Sequence, residues 1–383
     1  MGWNPVPGNS RPSDPPQSNA RPQRRVLLDA RILQGPSARR GIGSYARGLI
    51  DGLVAEGFGA RLSLLVDARL PEPRLPSGCE VETVRRRYHG RFAAYEEAVA
   101  LGSDLARIGP AAYHAMDLCL PGRSPCPVVV TLHDLIPWAW GGAATAGERI
   151  RHWPGRRLLA RTDLVLAVSG ATAQDAVRLA GVRRERIRIV HEGLDAGFAP
   201  MGGAGERVRA RWGVQGPYLL YVGALDRRKD PGGLLTAWRA ARQAGLEAEL
   251  LLAGEPGPQA PRDMGGAIAL GYVSEGDLAD LYTAATCLLF PSRYEGFGLT
   301  VLQAMGCGCP VVAYRNSSLP EVMGEAGTLV TDGDAEALGH EAAVFADRGR
   351  RREAAEAGLR RAHSFTWQAT ARATIAAYRD VLR

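Results

Sequence analysis

The chain has 383 residues, 46% hydrophobic and 23% charged, with a formal net charge of +7, which fits two or three domains with cores of ordinary size. No apolar run approaches the roughly 18 residues that cross a bilayer, and with 7% aromatic residues and no RNA- or DNA-binding motif the chain is not expected to bind nucleic acid. The positive excess is one-sided: residues 21–200 carry 26 basic and 18 acidic side chains, residues 201–383 carry 20 and 21, and Lys229 is the only lysine.

The first 23 residues are rich in Pro, Ser and Asn, lack the apolar stretch of a secretory signal, and read as a disordered leader. From there apolar runs at 26–28, 62–66, 111–115, 128–132 and 164–168 alternate with helical patterns at 43–55, 95–108, 149–162 and 172–180. Most of these runs are continuously apolar, as in buried parallel strands, and the alternation predicts a doubly wound sheet. The pattern pauses after 187–190 in a loose, glycine-rich stretch from Ala196 to Gly205, a predicted interdomain linker. A second series follows, with strands at 218–222, 249–252, 267–271, 287–290 and 311–313 and helices opening near Gly232, Gly276 and Gly298. The expected fold class is α/β, with two Rossmann-like doubly wound domains, 24–200 and 206–365, facing a central cleft. A last helix at 366–383 is expected to pack back toward the first domain. The six cysteines suggest neither a disulfide framework nor a metal site, and so a reducing compartment.

Open α/β sheets bind ligands outside the carboxyl ends of their strands. The densest turn of that kind is Phe290-Pro291-Ser292-Arg293-Tyr294-Glu295-Gly296-Phe297-Gly298. Its glycines admit a ligand to the backbone, the helix start beyond offers N–H groups to an anion, and Glu295 is placed to accept from sugar hydroxyls. Arg228 and Lys229 follow the 218–222 strand and precede a helix, a second charged turn at a strand's carboxyl end. In the first domain Gly41-Ile42-Gly43-Ser44-Tyr45 opens a helix, but twelve residues beyond Asp29, too far for a dinucleotide fingerprint. His133-Asp134 closes the 128–132 strand and faces the cleft, and Ser169 reads as a helix cap. Asp332-Gly333-Asp334 has the spacing of a metal-binding DxD but stands just before a helix, as a turn and cap would. There is no GxSxG elbow, Walker loop or HExxH, and Gln303 removes the nearest second acid that a hydrolase would need beside Glu295.

The stretch from Phe290 to Ala313, followed by Asn316-Ser317-Ser318-Leu319-Pro320-Glu321-Val322, resembles the donor-site signature of glycosyltransferase family 4. The resemblance spans roughly residues 25–365 and implies a GT-B fold and retaining, metal-independent transfer from a nucleotide-sugar. It implies catalytic roles for His133, Arg228, Lys229 and Glu295. It assigns donor contacts to Gly41, Gly43, Val273, Gly296, Phe297, Gly298, Leu299 and Gln303, and the acceptor side to Tyr45 and Asp134, of which Asp134 could instead orient the imidazole of His133. Two positions depart from the family: Gln303 replaces the second of two glutamates, and Ala224 stands where many members carry an arginine. A Gln amide keeps one acceptor oxygen for a ribose hydroxyl but loses the charge. His191-Glu192-Gly193-Leu194-Asp195 resembles the family's interdomain stretch, for which a structural role is expected. Another GT-B enzyme, an epimerase or phosphorylase, and a nucleotide-sugar-binding pseudoenzyme stay open as alternatives.

No cofactor and no metal are expected. The partners implied are a nucleoside-diphosphate-sugar donor and a glycan or lipid-linked acceptor in polysaccharide or glycoconjugate assembly, with a first-domain pattern most like bacterial mannosyl- or rhamnosyl-type transferases. The family places the acceptor in the first domain, where the positive excess lies. An acidic acceptor such as a lipid diphosphate carrier, met at the cytoplasmic face of an anionic membrane, accounts for that excess. Arg39-Arg40, Arg85-Arg86-Arg87 and Arg91 are the candidate contacts. Codon usage favouring arginine produces the same counts.

Overall fold

The computed structural model describes residues 25–87, 92–140, 146–255, 257 and 264–383. The predicted leader, Arg91 and the side chain of Arg39 lie outside the described residues. The first lobe is a seven-stranded sheet of β1 (Val26–Asp29), β2 (Leu62–Asp67), β3 (Glu80–Val84), β4 (Ala112–Ala115), β5 (Val128–Leu132), β6 (Leu164–Ala167) and β7 (Ile187–Ile189). Every pairing is parallel and the order is β3-β2-β1-β4-β5-β6-β7. Its helices are α1 (Gly41–Ala55), α2 (Ala93–Ile108), α3 (Ile136–Ala139), α4 (Ala146–Leu159) and α5 (Gly170–Ala180). The edge strand β3 escapes a reading by apolar runs because Glu-Val-Glu-Thr-Val is half exposed and alternates in polarity.

The second lobe opens with α6 (Ala204–Trp212), inside the predicted linker. Arg207 on α6 pairs with Asp280 at 2.5 and 2.7 Å, which ties α6 to this lobe and ends the linker two residues before the expected boundary. The strands β8 (Tyr218–Val222), β9 (Glu249–Ala253), β10 (Ile268–Gly271), β11 (Cys287–Phe290), β12 (Val311–Tyr314) and β13 (Thr328–Val330) form a second all-parallel sheet, ordered β10-β9-β8-β11-β12-β13. Helices α7 (Pro231–Gln243), α8 (Glu275–Ala284), α9 (Leu299–Gly306), α10 (Leu319–Met323), α11 (Ala335–Ala343) and α12 (Arg348–Ala362) flank it, and α13 (Trp367–Val381) ends the chain. The strand order reverses between β1 and β4 in one sheet and between β8 and β11 in the other, and each reversal opens a crevice at the strands' carboxyl ends.

Each sheet covers its outer face with its own apolar cluster, built around Leu27, Leu132 and Val165 in one lobe and Leu219, Leu250 and Leu289 in the other. The inner faces share one cluster that runs from Leu28, Leu64 and Val129 to Leu220, Leu288 and Phe290. Helix α13 completes it by lying along α1. Trp367 packs edge-on to Tyr45, donates its indole N–H to Asp195 at 2.6 Å, and fills the space over Gly48 and Gly193. One predicted surface cation is interior. Arg86 is buried, with Nε 2.6 Å from Glu97 and Nη1 2.8 Å from Asp104, so it cannot meet a membrane.

A Cβ at Gly48 would stand 2.0 Å from the Trp367 ring. Gly48→Ala is therefore expected to destabilise the fold by roughly 1–3 kcal/mol through overpacking, read as a lower urea midpoint, whereas Gly57→Ala, which meets nothing within 4 Å but has φ +76°, tests backbone strain alone.

Candidate active site

Because β8 and β11 are neighbours, the turns that follow them converge at the crevice of the second sheet. After β8 the Asp226 carboxylate accepts the Lys229 N–H at 3.1 Å and tightens residues 227–229 into a single helical turn. After β11 the chain delivers Glu295, whose Oε1 accepts from Lys229 Nζ at 2.6 Å, from Arg228 Nη1 at 2.9 Å and from the Ser292 hydroxyl. Arg228 also donates to the Tyr294 carbonyl at 2.6 Å, and the Lys229 ammonium lies 4.6 Å from the centre of the Phe290 ring. Burial alone would raise the Glu295 carboxyl, but Lys229 and Arg228 outweigh it and hold it down at about 2. Burial lowers the Lys229 ammonium against the pull of Glu295.

Two helix starts face this cluster. Helices α5, α7, α8, α11, α12 and α13 are capped by the side chains of Ser169, Asp230, Ser274, Asp334, Asp347 and Thr366. Helices α1, α2, α3, α6, α9 and α10 receive no side-chain cap; among them are α9, whose cap is Gly298 at φ 104°, and α1, whose cap is Arg40. A Cβ built on Gly41 would lie 3.9 Å from Leu299, so the uncapped starts of α1 and α9 oppose one another across the cleft. Orphan N–H groups and the helix dipole both favour an anion there. The other glycines serve packing. A Cβ at Gly43 would strike the Ala38 carbonyl at 2.4 Å, and one at Gly296 the His133 carbonyl at 2.0 Å. Gly296 thus admits the opposite lobe to its backbone, where the sequence suggests a ligand.

His133 sits at the end of β5, edge-on to Tyr45 at 4.8 Å, with Nδ1 3.4 Å from Glu192. Its Nε2 is enclosed and has no hydrogen-bond partner among the described residues. Two expectations change here. Tyr45 is fully buried, with its hydroxyl 3.2 Å from Thr131 Oγ1, so it packs under His133 and touches no acceptor. Asp134 does not orient the imidazole: it accepts the Ile136 N–H at 2.9 Å where α3 begins, while Glu192 holds the ring. The sequence does not mark Glu192 as a partner of His133, because it lies 59 residues away in the 191–195 stretch, for which a structural role is expected. A carboxylate buried to 5% exposure is the signal that marks it.

Of the remaining predicted residues, Gln303 is half-buried on α9 and makes no side-chain hydrogen bond among the described residues. Phe297 turns its ring into the core against His191 and Phe365, which leaves only its backbone for a ligand. Val273 follows β10, beside exposed Tyr272. A crevice of about 420 Å³ adjoins this end, lined by Arg47, Asp51, Asp195, Glu275 and Trp367 among others. Ser169 does cap α5, and Asp334 caps α11 while Asp332 accepts from Asn316 at 2.7 Å, so the DxD spacing is a turn and a cap.

Residues 39–198 match the family described as Glycosyltransferase Family 4, and residues 216–346 match Glycosyl transferases group 1. O-antigen chain mannosyltransferase B of Escherichia coli is 32% identical over 286 residues, 70% of this chain and 74% of that protein. The chain belongs to glycosyltransferase family 4. Sucrose-phosphate synthase from Thermosynechococcus elongatus shares its fold at a TM-score of 0.74 and 24% identity, covering 93% of this chain and 99% of that one. Anabaena HepE, solved in complex with UDP and glucose, does so at 0.68 and 18%, covering 92% and 98%. The fold is GT-B and the activity is glycosyl transfer in glycoconjugate synthesis; an epimerase or phosphorylase is not favoured.

Glu295, held near 2 against an ordinary 4.5, contributes stability that is complete above pH 4.5 and lost as pH falls toward 2. Glu295→Gln is expected to be less stable than wild type at neutral pH, and urea titrations should show the gap narrowing through that window. Glu192→Gln, which lets the His133 ring move, is expected to lower kcat by on the order of 10–100-fold with donor affinity unchanged by calorimetry.

Proposed function

We propose that this glycosyltransferase moves a sugar, with retention of anomeric configuration and without a metal ion, from a nucleoside-diphosphate-sugar to a hydroxyl of a lipid-linked acceptor. One observation carries the reading: two adjacent cations, anchored by Glu295, stand at the sheet crevice, and α9 begins uncapped four residues beyond that carboxylate, beside the start of α1. That arrangement fits a diphosphate better than any other common anion, because it offers cations and backbone N–H groups together. Arg228 and Lys229 neutralise the leaving diphosphate, helped by the N–H groups at the start of α9. Glu295 keeps both cations in place and presents its remaining acceptor capacity to sugar hydroxyls. Gln303 holds a ribose hydroxyl through its amide, and the backbone at Val273 meets the base. His133 offers Nε2 to the sugar, since a buried polar atom is expected to be partnered, with Glu192 setting the ring's orientation. Gly41 lines the anion site, whereas Gly43 and Gly296 act through packing. The acceptor enters along the first lobe beside Asp134.

The glycosidic C–O bond to the diphosphate breaks as the acceptor oxygen bonds to the same face of the sugar carbon, and the acceptor proton passes to the departing phosphate oxygen. No protein nucleophile is required. Likeness to a mannosyltransferase favours a mannosyl donor. No helix among the described residues is long and apolar enough to cross a membrane, so a lipid-linked acceptor would be met by peripheral association at the cytoplasmic face.

A thermal-shift screen across UDP-, GDP-, ADP- and dTDP-sugars identifies the donor, and NMR of the product's anomeric proton tests retention. Turnover should be unchanged by a chelator. Lys229→Ala is expected to cut turnover by on the order of 10²–10³-fold, and unchanged turnover overturns the phosphate assignment. Gln303→Glu should keep or raise donor affinity; a marked loss would mean the amide serves another contact. Tight donor binding with no transfer to any acceptor would favour a binding protein over an enzyme.

A further inference from the structure

The first lobe carries an apolar patch that none of the chemistry above uses. Tyr95 and Val99 lie one turn apart on α2, opposite buried Leu101 and Leu105, and Val99 is 84% exposed. Ile150 and Trp153 lie on the outer stripe of α4 at 66% and 51% exposure. The Tyr95 hydroxyl donates to the Ile150 carbonyl at 2.8 Å and joins the two stripes into one surface. The opposite side of α4 is fixed inward: a Cβ at Gly155 would stand 1.8 Å from the Leu118 carbonyl, and Leu159 is fully buried. The helix therefore cannot roll to hide Trp153.

The rim of this patch is basic. Arg149, Arg151, Arg156 and Arg157 stand on α4 against one acid, Glu148. Arg151 and Arg157 are exposed, neither makes an ion pair among the described residues, and the Arg157 guanidinium lies 5.6 Å from the centre of the Trp153 ring. Elsewhere in the lobe some arginines are consumed internally, Arg31 by Asp29 and Glu97, and Arg86 by Glu97 and Asp104, whereas others, Arg40, Arg85 and Arg87 among them, are exposed.

We propose that the α2–α4 face docks the enzyme on an anionic lipid bilayer, with Trp153, Ile150, Val99 and Tyr95 entering the head-group region while the α4 arginines meet lipid phosphates. The composition is that of an interfacial surface: amphipathic aromatics that prefer the membrane–water boundary, aliphatics beside them, and cations on the rim. A second protein surface would seldom oppose such a rim with a uniform negative charge, whereas an anionic leaflet does. The location agrees, because α3 and α4 follow directly on the His133–Asp134 turn. A lipid-linked acceptor held at this face is thus held on the lobe that carries His133. The inference rests on the membrane-borne acceptor proposed above and replaces Arg86 with α4 as the basic element.

Sedimentation of the full chain with phosphatidylcholine vesicles, with and without phosphatidylglycerol, tests it. Binding is expected only to the anionic vesicles and should weaken with salt. The Ile150→Ala/Trp153→Ala double variant and the Arg151→Glu/Arg157→Glu double variant should each lower the partition coefficient by about tenfold or more. Donor binding by calorimetry and transfer to a short soluble acceptor should stay at wild-type values in both. Wild-type protein that ignores anionic vesicles, or variants that bind them as well as wild type, overturns the proposal. Light scattering that shows a wild-type dimer broken by the Trp153 variant overturns it too, in favour of a protein interface. Failure of transfer with vesicle binding intact would instead count against the enzymatic reading alone.

Discussion

The site depends on one carboxylate accepting from two neighbouring cations. Arg228 and Lys229 are consecutive, and both lie mostly out of water. Two like charges placed there without compensation would cost several kcal/mol. Glu295 removes that cost with one oxygen, at 2.9 and 2.6 Å. Arg228 and Lys229 keep one positive charge in excess of Glu295, partly offset by Asp226 at 3.9 Å from Arg228, and both cations are already oriented. Electrostatic catalysis works through such preorganisation, since donors fixed before the reaction need no rearrangement as charge develops. Topology makes it affordable. The two turns are far apart in sequence, but they follow adjacent strands at the point where the sheet order reverses.

The same loop also joins the lobes. The Gly296 carbonyl accepts from Ser169 at 2.6 Å and from Thr172 at 3.0 Å, and its Cα lies against the His133 carbonyl. Glu321 accepts the Gly170 N–H and pairs with His191, each at 2.7 Å. The residue after Glu295 therefore registers directly on the turn that carries His133. Any separation of the lobes pulls the Glu295 carboxylate away from the histidine. Closure and assembly of the site are in this sense a single event, the condition under which a transferase keeps water from its donor.

Much of this was legible in the sequence, for reasons that are local. Continuous apolar runs betray parallel strands, and turns rich in glycine and charge stand at their carboxyl ends, so Glu295, Arg228, Lys229 and His133 could be named from pattern together with the family resemblance. What escaped was set by contacts distant in sequence. Nothing near Tyr45 says that Thr131 and Trp367 will enclose it, nothing near Gly296 says that a carbonyl from the other lobe will occupy its missing side chain, and nothing near Glu192 says that an imidazole waits above it. Glycines were read as room for a ligand when several are room for protein. Gln303 lies between these cases: the departure from the family was visible, and its open position on α9 is compatible with the ribose contact.

Arginine bias and arginine function are separable once the partners are known. Codon usage can decide that 46 of 47 cations are arginine, but it cannot decide where each one points. Inside the first lobe, Arg31 and Arg86 use planar forks to satisfy Asp29, Glu97 and Asp104, a task suited to several fixed donors. At the cleft the chain departs from its own habit and places its one lysine, a compact charge that fits between Glu295 and the Phe290 ring. On α4, Arg151 and Arg157 stand exposed, the latter over Trp153, and the helix carries a single acid. The same residue type thus builds a core network in one place and a basic surface in another. A net charge summed along the chain mixes the two, and only the exposed arginines, Arg151 and Arg157 of α4 among them, can act on a partner.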